Sequence, residues 1–319
     1  MNCLMIVTYP SILLRICILL SLLVAWSNTF AQLDVKHFDT LVLRSVTESD
    51  SANAEWRHIL ATRNNHSVDS TTQLLTTFTI GERNWFALIA SRQVAWELML
   101  DSLARPFEAN LPSKVTIIVG SHGVDDAFTF DGSTIGFDAS ILEKNYGNAN
   151  SAENTERIDR LFAHEMTHLF HKAWVKSEHM ELRTFKDSVL WECIYEGLGT
   201  YRSLSSKWLP QEDSLPAVTE VVLDALLPEF LANIEKVCNA GNLTVTQKAD
   251  ITRNLSRGTI SKKWGAFTVA IWIARFVGED EGKLKLVVES GINSPILLAI
   301  RNIPFNSPYK PLLMECLAR

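Results

Sequence analysis

His164-Glu165-Met166-Thr167-His168 places two imidazoles and a carboxylate within five residues of chain. On a helix, positions i and i+4 share one face, with Cβ atoms roughly 5–6 Å apart. Two imidazoles so spaced converge on one tetrahedral Zn²⁺ at about 2.0–2.1 Å. Glu165 lies roughly 100° around the helix from His164. It stands beside the metal rather than on it, placed to take a proton from water activated there.

The flanking residues must supply that helix. Ile158, Leu161, Phe162, Met166, Leu169 and Phe170 recur at steps of three to four, and no Pro or Gly interrupts Thr155 to Trp174. This is the pattern of a half-buried amphipathic helix. A catalytic zinc takes three protein ligands and leaves a fourth position for water. His171 returns to the face of His164, but seven residues rise about 10.5 Å along the axis. It is set aside as a ligand of the same ion. Position 174 is Trp and 175 is Val, so H-E-x-x-H-x-x-G-x-x-H is absent. The third ligand must come from another helix.

The best candidate is Glu196, 28 residues beyond His168 (196 − 168), in Trp191-Glu192-Cys193-Ile194-Tyr195-Glu196-Gly197-Leu198-Gly199-Thr200-Tyr201. The interval is long enough for one helix to end and a second to return. Gly197 and Gly199 each cost about 1 kcal/mol in a helix relative to Ala. Close approach to a neighbouring helix is what they offer in exchange. Gly199 and Ser203 line the stripe that faces the metal. Glu192 reads as a solvated charge or as a residue that orients a ligand His. Cys193 reads as a small buried side chain.

These motifs resemble the gluzincins, the thermolysin-like zinc metallopeptidases with H-E-x-x-H on one helix and a Glu ligand on the next. Glu196-Gly197-Leu198-Gly199-Thr200-Tyr201 is similar to the E-G-L-A-x-Y stretch of zinc peptidases in that superfamily, with Gly199 standing where Ala is usual. The resemblance is sharp over residues 155–204 and loose elsewhere. It implies one zinc ion held by His164, His168 and Glu196, with Glu165 as general base. It also implies a cleft between a mixed lobe and a helical lobe. Such enzymes stabilise the oxyanion with a Tyr or His from the C-terminal lobe. The stretch to search, Lys262-Lys263-Trp264-Gly265-Ala266-Phe267, has no Tyr. Tyr201, His179 and Tyr309 remain as alternatives.

The elements around the motifs predict an α+β, predominantly helical fold. Lys114–Val119 is a buried strand candidate ending at Gly120. Asp131-Gly132 between Ala127–Phe130 and Ser133–Phe137 is a strong hairpin signal. The edge of this small antiparallel or mixed sheet suits an extended peptide. Asp125, Asp126, Asp131 and Asp138 read as turn acids rather than calcium ligands, since no EF-hand spacing exists. Upstream, Thr40–Val46 is β-like, and Ala54–Thr62 and Trp85–Leu103 have helical spacing. Beyond Leu204 the chain reads as helices over 217–237, 245–255, 264–277, 282–290 and 295–303, with 264–277 apolar almost all round.

Arg15 and the apolar run Ile16–Trp26 predict a signal peptide cleaved after Ala31, hence a secreted or periplasmic protein. The expected organisation is 1–31 signal, 32–110 an N-terminal subdomain or pro-segment, 111–206 a metallopeptidase core, and 207–319 a helical C-terminal lobe. A 47% hydrophobic, 21% charged composition fits a globular chain. The net charge of −6 and the absence of a Lys/Arg-rich run argue against nucleic acid. The expected partner is a peptide or protein substrate, with no stable membrane span after cleavage. The alternative is a non-catalytic, zinc-stabilised module that binds peptide or glycan. Cys193, Cys238 and Cys316 allow at most one disulfide in the mature chain.

Overall fold

The computed structural model describes residues 40–63, 77–108, 114–211, 214–239 and 243–318. The expected signal peptide and its cleavage site lie outside them. β2 (Lys114–Gly120) is an apolar run in which Val115, Ile117, Ile118 and Val119 are no more than 2% exposed. Burial on both faces is the signature of a central strand with parallel neighbours. β1 (Thr40–Ser45) pairs with it through Leu41↔Val115, and β4 (Thr134–Asp138) through Ile117↔Ile135, both parallel. β3 (Ala127–Phe130) folds back on β4 antiparallel. Asp131, Gly132 and Ser133 make that turn, with φ of 50° at Asp131 and 81° at Gly132, the left-handed region that Gly and Asp adopt most readily. The sheet is mixed, in the order β1-β2-β4-β3, with β3 at one edge.

Helices make up most of the rest: α1 (Asp50–Arg63), α2 (Ile80–Ser91), α3 (Gln93–Ala104), α4 (Ala139–Tyr146), α5 (Ala152–Ser177) and α6 (Phe185–Ser203). After them come α7 (Ala217–Asn239), α8 (Val245–Thr252), α9 (Ala266–Val277), α10 (Lys283–Glu289), α11 (Ser294–Asn302) and α12 (Tyr309–Ala318). The helical stretch 85–103 is thus two helices parted at Arg92, and α12 lies beyond the last helix expected.

The motif sits in α5, which Ser151 caps by accepting from the Asn154 N–H. The residues Ile158, Phe162, Met166 and Phe170 are wholly buried, as their spacing predicts. Trp96 of α3 stacks on Phe162 at 4.5 Å with an interplanar angle of 4°, and its Nε1 donates to Asp159 at 2.8 Å. Arg92 grips the same carboxylate with Nε at 2.9 Å and a terminal nitrogen at 2.8 Å. Two-point Arg–carboxylate bonding fixes orientation as well as distance, so α5 is held in rotation against α3.

α6 starts with a reciprocal cap between Thr184 and Asp187 and runs back beside α5. α9 crosses α6 on its other side and is buried over nearly its whole surface, as its composition predicts. A Cβ at Gly197 would stand 2.6 Å from Val269 Cγ1, so this glycine does permit close helix approach. Cys238 and Cys316 form a disulfide joining α7 to α12, leaving Cys193 free and buried. One core runs from Leu41 to Cys316, so the N-terminal strand and helices share it with the C-terminal helices. Among the described residues no helix is long and apolar enough to cross a membrane.

Candidate metal centre

α5 and α6 bring His164, His168 and Glu196 together, with one ligand-type atom from each within 4.8 Å of the others. The two Nε2 atoms are 2.9 Å apart, and the Glu196 oxygens stand 3.8 Å from His164 Nε2 and 3.6 Å from His168 Nε2. A tetrahedral ion with bonds of about 2.0–2.1 Å sets its donors roughly 3.3 Å apart. The observed separations bracket that value, so the three side chains fit zinc with shifts of a few tenths of an ångström.

Hydrogen bonding on the far side of His164 makes the same point. Ser203 Oγ gives its only proton to the Thr200 carbonyl at 3.0 Å. At 3.3 Å from His164 Nδ1 it must therefore accept, so Nδ1 carries the hydrogen and Nε2 keeps its lone pair. The His168 ring lies flat on Tyr195, 4.0 Å between centroids and 15° between planes. Gly199 lies under both rings: a Cβ there would stand 2.9 Å from His164 Nε2 and 2.9 Å from His168 Cε1. Small for small is therefore not a neutral exchange at this position.

Burial, and next the nearby Lys263 charge, pushes His164 down to about 3. Burial and then His164 hold His168 well below the usual imidazole range. Both rings are neutral at pH 7, the form that ligates metal. Glu165 is 7% exposed. Burial pushes its carboxyl up to about 8, helped by Glu196 and Asp126 and opposed by Arg63 and Lys172. Glu196 rises to about 7, through burial first and against Lys263.

The remaining candidates are placed as follows. His171 is wholly buried, among Phe107, Trp174, Trp191 and Tyr195, and away from the ligand cluster. Glu192 is half-buried and accepts from Ser256 Oγ at 2.6 Å, so it is neither a solvated charge nor bonded to a ligand His. Tyr201 donates to Glu281 at 2.9 Å and lines a cavity of about 820 Å³ shared with Arg275, Asp280 and Lys283. His179 is exposed past the end of α5, eleven residues beyond His168 (179 − 168). Tyr309 opens α12 and is half-buried. The turn acids are each engaged locally. Asp125 pairs with Arg63, Asp126 accepts from Tyr146, Asp131 accepts from Ser133, and Asp138 caps α4.

Three neighbours of the centre have no signature in the motifs themselves. Tyr195 supports His168. Lys172 donates to Thr129 of β3 at 3.3 Å and faces Glu165 electrostatically. Lys263 acts on His164, His168 and Glu196 from the start of α9. Tyr195 and Lys172 lie on the two motif helices, where helical phase could have found them; Lys263 depends on how α9 packs. No family model, curated protein or solved structure matches this chain.

Proposed function

We propose that this protein is a zinc-dependent metallopeptidase of the gluzincin kind, secreted or periplasmic, that hydrolyses peptide bonds with Glu165 as general base. The observation that carries the reading is the convergence of His164, His168 and Glu196 from two helices, with the buried carboxylate of Glu165 beside them. His164, His168 and Glu196 would hold one zinc ion, which supplies Lewis acidity to the scissile carbonyl and to water. Glu165, which the charge of a bound ion would hold as the carboxylate, takes a proton from that water and returns it to the leaving amine. Tyr195 and Gly199 keep the imidazole rings in place. β3, the edge strand packed against α5, offers main-chain groups to an extended peptide. In this reading the sheet and α5 form one lobe of a thermolysin-like cleft and the helices after α6 the other.

Metal analysis and a peptide-library digest of wild type, Glu196→Ala and Glu165→Gln test the proposal together. Wild type should carry one zinc and turn over. Glu196→Ala should lose zinc affinity, and Glu165→Gln should keep zinc and lose turnover. Full zinc affinity in Glu196→Ala removes the gluzincin assignment. Metal without turnover in wild type leaves a zinc-stabilised binding module instead.

A further inference from the structure

We infer that the open edge of β3 selects acidic peptides, with Lys172 taking the side-chain carboxylate of the substrate residue that pairs with Thr129. The inference rests on the hydrolase reading above and names the class of substrate that reading leaves open.

Register shows which groups of β3 face outward. Ala127 pairs with Phe137 and Phe128 with Gly136, and one step earlier the Asp138 N–H donates to the Asp126 carbonyl at 3.0 Å. Bonded and non-bonded pairs alternate along an antiparallel ladder. Asp126, Phe128 and Phe130 therefore bond towards β4, and the main-chain groups of Ala127 and Thr129 point away from it. Part of that edge is already engaged. The Ala127 N–H donates to Asp126 Oδ1 at 2.9 Å, and the Thr129 carbonyl accepts from an Arg63 terminal nitrogen at 3.4 Å. Arg63 is held in place by its ion pair with Asp125 and by the Phe128 ring, whose centre lies 3.9 Å from the guanidinium carbon. The Ala127 carbonyl and the Thr129 N–H remain for an added strand among the described residues. They flank Phe128 on the outer edge, so β3 can anchor a short extended segment whose pairing stops at Arg63.

Residues directly across a ladder put their side chains on one face, with Cβ atoms about 4.5–5.5 Å apart. The Thr129 side chain faces α5, where its Oγ1 accepts from Lys172 Nζ at 3.3 Å. A peptide residue opposite Thr129 therefore projects its side chain towards the same ammonium. Lys172 lies one helical turn beyond His168, and positions four apart share a face. Its Nζ stands 5.6 Å from the centre of the Tyr195 ring, which stacks on the His168 ring at 4.0 Å. The ammonium is in this way a neighbour of the ligand cluster on its β3 side. It is exposed, and no carboxylate oxygen lies within 4.0 Å of it among the described residues. Its hydrogen-bond partner is a neutral hydroxyl. A carboxylate makes a charge-assisted bond roughly twice as strong as a neutral one. The Asp126 carboxylate at the Ala127 end of the edge repels an acid there, so the edge favours an Asp or Glu at the Thr129 end alone.

The test uses zinc-loaded wild type, Lys172→Met and Lys172→Glu on a peptide cleaved from the library. Each position of that peptide is replaced in turn by Glu, Gln or Lys, with the C-terminus amidated. Ratios of kcat/KM are taken by internal competition within each protein, so a general change in activity cancels. Wild type should prefer Glu to Gln at one position by roughly two- to five-fold, the scale of an exposed ion pair, and added salt should weaken the preference. Lys172→Met should abolish it, and Lys172→Glu should favour Lys at that same position. A wild type indifferent to Glu at every position overturns the assignment, as does a preference that survives Lys172→Met. A preference that appears only when the C-terminus is free also overturns it, because a terminal carboxylate is then the ligand. If wild type cleaves no library peptide, the hydrolase reading itself falls and this subsite with it. If wild type cleaves without a preference that Lys172 governs, the subsite alone is wrong.

Discussion

Replacing Glu165 with Gln should stabilise the zinc-free protein, and by more as the pH rises. Burial first, then Glu196 and Asp126, holds this carboxyl at about 8 against an ordinary value of 4.5. A carboxyl raised in the fold is protonated there and ionised in the unfolded chain, so the folded state binds more protons and loses stability as pH rises. The loss is absent below 4.5, grows through the window from 4.5 to about 8, and is constant above it. One unit corresponds to about 1.36 kcal/mol. Between about pH 5 and about pH 7 the full slope is ~2.5 kcal/mol. Glu196 titrates in the same field, and removing one carboxylate eases the other, which leaves about 1–2 kcal/mol. Glutamine does not titrate, so the stability gap between variant and wild type should widen by that amount across those two pH values. In a chain of this size it corresponds to roughly 2–8 °C in Tm. Differential scanning calorimetry of chelated protein at both pH values measures it. Any fixed gain or loss from the Gln amide cancels in the comparison. A gap that stays flat or narrows with pH refutes the picture of Glu165 as a buried, near-neutral base. With zinc bound, attraction to the ion favours the carboxylate and the widening should shrink.

Gly199→Ala should weaken zinc binding by roughly tenfold or more, the scale found when support for ligand rings is disturbed, because its Cβ would press on both imidazoles; competition with a fluorescent zinc chelator reads the change. Removing the Cys238–Cys316 bridge, which closes a separation of 78 residues, should lower stability by about 2–4 kcal/mol. Urea unfolding of Cys238→Ser/Cys316→Ser checks it. His171 is buried, has no hydrogen-bond partner for either nitrogen among the described residues, and is pushed down to about 3 by burial. Being depressed, it contributes stability above its unfolded value of 6.5 that is lost as pH falls towards 3. His171→Leu should therefore remove part of the acid limb and raise stability at neutral pH by about 1 kcal/mol or more, read in thermal melts at about pH 7 and about pH 4.

What was legible in the sequence divides along the line between one element and two. The phase of α5 was readable because Ile158, Phe162, Met166 and Phe170 and the two histidines belong to a single helix, where 3.6 residues per turn fixes every relation. The β3–β4 hairpin was readable because Asp131-Gly132 carries its own backbone preference. The break at Arg92 was not, because no Gly or Pro marks it. Arg92 keeps helical angles (φ −90°, ψ −10°), and the chain turns there so that α2 packs on α4 while α3 packs on α5. The same limit hid α12, whose last turn is tied by a disulfide to a helix far back in the chain. Between these extremes lie the glycines of the centre. Gly197 and Gly199 stood out as helix residues whose cost pointed to close approach by a neighbouring element, without naming it. One return is room for Val269 of α9, and the other is a seat for two imidazole rings. A residue that weakens its own helix was thus the trace, inside one segment, of a contact made by another. Gly265, whose added Cβ would stand 2.8 Å from Cys193 Sγ, makes a third such approach, and its place outside a helix left no cost in the sequence to mark it.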